Sequence, residues 1–235
     1  MSRVLIGYSA CPLTRAAFEA AGHECWTCDL LPARGDANGR HLQCDIWEAL
    51  LSHRWDFGVL HPMCTYLTCS AAWAYGDGPY HQKVKPGTLV GAERRAARDE
   101  AIDNFRRLLA LPFPVVCENP ATSFLSKAIR PPDQIIHPHQ FGDDASKATG
   151  LWKSPEVPDL VHTQHVAPRM VEGRPRWANQ TDSGQNRLSP SETRWLERSA
   201  TYPGIAAAMG AQWGAWLSGR ATKAIGEQLS LLECA

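Results

Sequence analysis

The sequence predicts an α/β fold built on a doubly wound, mostly parallel sheet. Short apolar runs alternate with helical stretches through its first half, and 44% of the 235 residues are hydrophobic, enough for one domain with a core. Two of those runs also deliver reactive side chains at their ends, where open α/β sheets bind ligands.

Val4-Leu5-Ile6-Gly7 reads as the first strand. Leu13 to Ala21 reads as a helix with Leu13, Ala16, Ala17 and Ala20 on one face, and Gly22 stops it. His23 to Cys28 is the second strand, ending at Asp29, and His41 to Cys44 the third, ending at Asp45. A helix from Ile46 to His53 follows. The run Trp55 to Leu60 then delivers His61-Pro62-Met63-Cys64. After a long connection over 65–91, an amphipathic helix from Ala92 to Leu111 buries Ile102, Phe105, Leu108 and Leu109 and exposes Arg94, Arg95 and Arg98 at its start. Phe113 to Cys117 delivers Glu118-Asn119-Pro120. The βαβ order calls for parallel pairing with right-handed crossovers.

Beyond Glu118 the periodicity weakens. Gln134 to His137 is a short strand candidate, and residues 153–200 read as an irregular, reduced insertion on the substrate side of a single 1–235 domain. Gly204 to Leu217 is a closing helix whose Ile205, Ala208, Met209, Trp213 and Trp216 pack on the sheet, with a helical tail beyond Gly219.

A thiol and a carboxylate at neighbouring strand ends suit covalent catalysis on a pyrimidine ring. A thiolate can add to C6 of cytosine while a carboxyl group holds N3 and the exocyclic amine, making C5 nucleophilic. Cys64 is the first nucleophile candidate and Cys69 the second. Asp29 can accept ribose hydroxyls at the end of the second strand. Asp29 and Asp45 read equally as loop or helix N-cap residues.

These segments resemble the DNA cytosine-C5 methyltransferases, and more closely short phage-type methyltransferase-like proteins that lack a full target-recognition domain. Pro62-Met63-Cys64 stands for the family's Pro-Cys pair and Glu118-Asn119-Pro120 for its Glu-Asn-Val, with a further match around Thr201-Tyr202-Pro203-Gly204. The resemblance implies a Rossmann-like, S-adenosylmethionine-dependent methyltransferase fold. It implies catalysis by Cys64 and Glu118, and cofactor contacts from Ser9, Ala10, Asp29, Asp45, Pro62 and Gly204, with Asp45 accepting from the adenine amine. Substrate contacts fall to Asn119, Tyr66, Lys147 and Arg187. The first turn, Tyr8-Ser9-Ala10-Cys11-Pro12, departs from the family's glycine-rich pattern, which S-adenosylmethionine tolerates because it carries no phosphate. The family's loop after the nucleophile closes over a flipped base; Tyr66, Trp73, Tyr75 and Tyr80 could stack there, or could be anchors of a solvated loop. The implied partner is DNA, duplex or single-stranded, or a pyrimidine nucleotide; a catalytically silent binding protein is the contrasting class.

Lys plus Arg and Asp plus Glu number 24 each, so nucleic-acid contact has to come from a local basic surface. Arg187 and Arg194 are candidates for it. Cys25 and Cys28 have the spacing of half a zinc or redox site without a matching second pair among the eight cysteines, which favours reduced, strand-buried thiols. No metal site is expected; the nearest suggestion is His137-Pro138-His139, which has no completing ligands at familiar spacing. No run reaches membrane-helix length and no signal-peptide core is visible, so a cytoplasmic protein without membrane contact is expected, and nothing implies an obligate protein partner.

Overall fold

The computed structural model describes residues 1–35, 38–81, 83–189, 191 and 198–220. Strands β1 (Arg3–Gly7), β2 (Glu24–Asp29), β3 (His41–Gln43), β4 (Phe57–Leu60) and β5 (Val115–Pro120) pair in parallel, and β6 (Gln134–Ile136) and β7 (Thr149–Lys153) complete the sheet. β7 is antiparallel to both β5 and β6. The order is β3-β2-β1-β4-β5-β7-β6, a seven-stranded, mostly parallel α/β sheet compatible with a Rossmann-like fold. The order reverses between β1 and β4, which opens a crevice at their carboxyl ends.

Both faces of the sheet are apolar, as a buried parallel sheet requires. On one face Val4, Ile6, Phe57, Val59 and Val116 pack on Phe18 of α1 (Leu13–Ala20) and on Ile205, Met209 and Trp213 of the C-terminal helix. On the other, Leu5, Leu60, Val115 and Cys117 meet Ile46 and Ala49 of α2 (Ile46–Ser52) and Ile102, Phe105 and Leu108 of α3 (Gly91–Leu109). A short α4 (Leu125–Ala128) follows β5. α5 (Pro203–Ala208) starts on a proline at its first turn and continues into a π-helical segment over Met209–Trp213.

The face assigned to α1 is corrected. Thr14, Arg15 and Phe18 are buried, whereas Leu13 is 38% exposed and Ala16 and Ala20 face solvent. Helix-to-helix contact decides this. A Cβ on Gly210 would stand 2.5 Å from the Ala17 carbonyl carbon, and one on Gly214 would stand 2.8 Å from the Ala21 methyl. These glycines let the C-terminal helix press on the Ala17 side of α1. Gly210→Ala is therefore expected to destabilise the protein by about 1–3 kcal/mol through overpacking. In contrast, Gly219→Ala, with nothing within 4 Å of the added methyl, keeps or raises stability. Thermal or denaturant midpoints check the pair; equal losses would refute the close-approach account.

Two further expectations change. Arg94 is 5% exposed rather than solvated: it bonds the carbonyls of Leu89 and Thr65 at 3.3 and 3.2 Å and lies over the rings of Tyr66 and Tyr75. It thus fastens the 65–91 connection to α3, and that connection holds 3₁₀-helical turns over Cys69–Tyr75. The insertion is not wholly irregular. It contains a ribbon, β8 (Arg169–Val171) and β9 (Arg174–Arg176), closed by Glu172 and Gly173 at φ 49° and 76°.

No described helix is long and apolar enough to cross a membrane. The seven described cysteines are free; burial pushes the thiols of Cys25 and Cys28 upward. The tail beyond Gly219 lies outside the described residues after 220, as does Arg194.

Candidate active site

Strand alternation assembles the site. Side chains two residues apart share a sheet face, so His61 continues the Phe57–Val59 row of β4, Glu118 continues from Val116 on β5, and Thr149 precedes Leu151 on β7. All three therefore reach the face covered by α5. They line a small cavity with Lys147, the 199–202 segment, Ile205 and Met209.

Glu118 is not beyond its strand, as the sequence suggested. β4 stops pairing at Leu60 opposite Cys117, but antiparallel β7 carries the β5 ladder on through Glu118 to Pro120 opposite Thr149. The carboxylate is held on a rigid strand, and its Oε2 meets His61 Nδ1 at 3.0 Å. Burial alone would raise the Glu118 carboxyl. The His61 hydrogen bond, the Lys147 and His61 charges and the Thr149 hydroxyl outweigh it and hold the group at about 2. His61 Nε2 is buried and makes no hydrogen bond among the described residues, a free polar position in the cavity wall.

Cys64 is exposed in the turn after β4, where its carbonyl accepts from the amides of Leu67 and Thr68 at 3.0 Å. Burial of its surroundings, and then the negative charge of Glu118, raise the thiol; Lys147 and Arg198 pull it back down. Lys147 is therefore the main charge assisting the thiolate, and His61 is engaged with Glu118. Cys69 lies within the helical turns beside Tyr75.

Alternation also sends Asn119 away from the cavity. It shares the opposite face with Cys117, is 1% exposed, and donates from Nδ2 to the buried Pro62 carbonyl at 2.8 Å. It positions the Pro62-Met63-Cys64 turn instead of meeting substrate directly. Tyr66 lies under Arg94 and accepts the Tyr75 hydroxyl on its carbonyl at 2.7 Å, an anchoring role. Trp73 meets Tyr80 and His81 edge-on. Lys147 lines the cavity and donates to the Arg198 carbonyl at 3.3 Å. Arg187 lies on the insertion, donating to the Gln180 carbonyl at 2.9 Å.

The remaining positions cluster at the carboxyl ends of β1–β3. Ser9 N donates to Cys28 O and Arg34 N to Ala10 O, both at 2.9 Å, so the first turn is laced to the segment after β2. Tyr8 holds φ 57°, a left-handed conformation uncommon for a non-glycine residue. Asp29 Oδ1 accepts from Leu31 N at 2.9 Å, and Asp45 Oδ1 caps α2 by accepting from Trp47 N at 2.8 Å. In each carboxylate the second oxygen makes no hydrogen bond among the described residues. A helix cap and a ligand contact are thus compatible for Asp45. Gly204 approaches the 141–143 segment: its amide donates to Asp143 Oδ2 at 2.9 Å, and a Cβ there would stand 1.9 Å from the Phe141 carbonyl oxygen. Packing accounts for that glycine without a cofactor.

His61 and Thr149 are residues of the cavity wall that sequence reasoning left without this role. Period-2 counting from Val59 and Leu151 points to their face, although only the β5–β7 pairing brings Thr149 opposite Pro120. Among the described residues no group of three or more His, Cys, Asp or Glu side chains comes together to hold a metal ion. No protein-family model matches the chain, and no curated protein matches it.

Proposed function

We propose that this protein is an S-adenosylmethionine-dependent methyltransferase acting on C5 of a cytosine ring through a covalent bond between Cys64 and C6. What carries the reading is that Asn119, the neighbour of Glu118 on β5, donates to the Pro62 carbonyl at 2.8 Å and so ties the turn bearing Cys64 to the strand that bears the carboxylate, at the carboxyl ends of a doubly wound sheet.

The donor set fits the methyl donor. Ribose hydroxyls and an adenine amine need acceptors, and Asp29 and Asp45 each have one oxygen without a hydrogen bond among the described residues at adjacent strand ends, with Ser9 and Ala10 in the turn beside them. When bound, S-adenosylmethionine supplies an electrophilic methyl group. Cys64 loses its proton with help from the Lys147 charge and forms the S–C6 bond, which opens the C5–C6 double bond. Density passes toward N3, which takes up through solvent the proton that the thiol released, and the Glu118 carboxylate holds that N3–H and the amino group. After C5 has gained the methyl group, its proton leaves to water; the S–C6 bond then breaks as C5=C6 re-forms, and N3 returns its proton through solvent to the sulfur, restoring the aromatic ring and the free thiol.

Calorimetry on the purified chain tests the donor site. S-adenosylmethionine is expected to bind, and Asp29→Ala to weaken binding by about 1.5–3 kcal/mol, the worth of a charge-assisted hydrogen bond. Absence of binding by the wild-type chain at millimolar cofactor, or of labelled methyl on any cytosine substrate, would end this reading.

A further inference from the structure

Cys28 has a thiol partner that its spacing from Cys25 does not suggest. Residues three apart on a strand point to opposite faces of the sheet, so Cys25 is buried with Phe18 and Trp213 on one side and Cys28 with Leu5 and Ile46 on the other. The sheet keeps those two thiols apart. In the parallel β2–β3 register Cys28 stands opposite Leu42, and Cys44, two residues further, returns to the Leu42 face beside the same core. Cys28 Sγ donates to the Cys44 carbonyl at 3.4 Å, and the Cys44 thiol is itself a hydrogen-bond neighbour of the Cys28 thiol. Cys28 is 1% exposed, whereas Cys44 is half-buried and so meets reagents in solution.

This pair sits on the backbone that places both acceptors of the donor site. Cys28 is bonded directly to Asp29, and Cys44 to Asp45. Cys44 is also the one residue between the end of β3 and Asp45, whose Oδ1 holds the Trp47 amide at the start of α2. The Cys28 carbonyl accepts the Ser9 amide, so the first turn rests on the same residue. A covalent bond between two sulfurs now in non-bonded contact draws these strand ends together, and it removes the S–H that the Cys44 carbonyl accepts.

We propose that Cys28 and Cys44 are a redox-sensitive dithiol, closed to a disulfide by a small-molecule disulfide of the glutathione type, and that closure moves the Asp29 and Asp45 carboxylates out of their ligand-binding positions. Only the identity of that ligand rests on the methyl-donor reading. The Cys44 thiol loses its proton to water and attacks one sulfur of oxidised glutathione, forming a mixed disulfide and releasing one glutathione as its thiolate. Cys28 loses its proton in turn, attacks Cys44 Sγ and releases the second glutathione. Two protein thiols give up two electrons, and one glutathione disulfide becomes two thiols. Burial first, then Cys44 and the Asp29 and Asp45 charges, hold the Cys28 thiol up at about 12, so the second attack is the slow one. The test treats the full chain with millimolar oxidised glutathione, alkylates it and digests it with trypsin. Peptides 16–34 and 41–54 are expected to be joined with loss of two hydrogens. Cys44→Ser and Cys28→Ala abolish the joined species, and Cys25→Ala keeps it. Oxidised protein should exchange its Trp47 amide at least about tenfold faster, and bind S-adenosylmethionine at least about tenfold more weakly, than reduced protein. Both changes are reversed by dithiothreitol and absent from Cys44→Ser. No joined species, a joined species that survives Cys28→Ala, or one that leaves Trp47 exchange or the affinity at its reduced value would overturn the dithiol while the methyl-donor reading stands. A reduced chain that does not bind S-adenosylmethionine, with the peptides joined and Trp47 exchange raised on oxidation, removes the methyl-donor reading and keeps the dithiol.

Discussion

Under the proposed methyl transfer, Cys64→Ser protein is expected to show no measurable transfer while keeping the fold and the S-adenosylmethionine affinity of the wild-type chain. A serine hydroxyl does not ionise near neutrality and cannot replace a thiolate as the group that adds to C6. With cofactor present, an oligonucleotide carrying 5-fluorocytosine should become linked to Cys64, because fluorine cannot leave C5 as the proton does and elimination stalls. Peptide mass mapping locates the adduct, which should be absent from Cys64→Ser and present in Cys69→Ser. The pH dependence carries its own sign. Burial and Glu118 raise the Cys64 thiol above the ordinary value of 9.0, so the protonated form prevails at pH 7 and the thiolate fraction grows about tenfold per pH unit up to that value. Alkylation of Cys64 by iodoacetamide in the free protein should follow this rise. Removing the cation with Lys147→Gln should move the rise to higher pH. An adduct on Cys69, or a Cys64→Ser enzyme with wild-type turnover, would remove the proposed nucleophile.

Glu118→Gln is expected to reduce kcat by about 10²–10⁴, the usual range for a positioned acid–base group, with cofactor affinity unchanged. The carboxylate enters the reaction ionised, since it is held at about 2, and an amide cannot offset the positive charge that gathers at N3–H and the amino group. The same depression predicts acid-sensitive stability. A carboxyl lowered from 4.5 to about 2 in the folded chain stabilises it above pH 4.5, and that contribution disappears as pH falls toward 2. Denaturant unfolding at pH 7 and pH 3 should therefore show the gap between wild type and Glu118→Gln narrowing at the lower pH. A gap independent of pH, together with near wild-type turnover, would reduce Glu118 to a structural partner of His61.

Strand and helix order through Cys117 was legible because each element depends on nearby residues. Val4 to Gly7 and Phe57 to Leu60 are apolar on both faces, Gly22 ends α1 and Asp45 begins α2, so local chemistry sufficed. The candidates Cys64 and Glu118 were legible for the same reason, as polar side chains closing apolar runs. Tertiary structure decided what these residues touch. Antiparallel β7, remote in sequence, carried β5 through Glu118 and put Thr149 and Lys147 beside the carboxylate, and no local periodicity in β5 encodes that partner. Contact through Gly210 chose the buried face of α1 against its apparent alanine stripe, since packing distance outweighs the small hydrophobicity of alanine. Arg94, polar by composition, was buried because two tyrosine rings and two carbonyls converged on it from a loop that folds back over α3. The sequence by itself determined the elements and the reactive groups at their ends, which depend on short-range periodicity and capping. Only the tertiary structure decided which charges act on the thiol and which side chains share the cavity of Glu118, because electrostatics and packing act across distances in space that the chain spans only once folded.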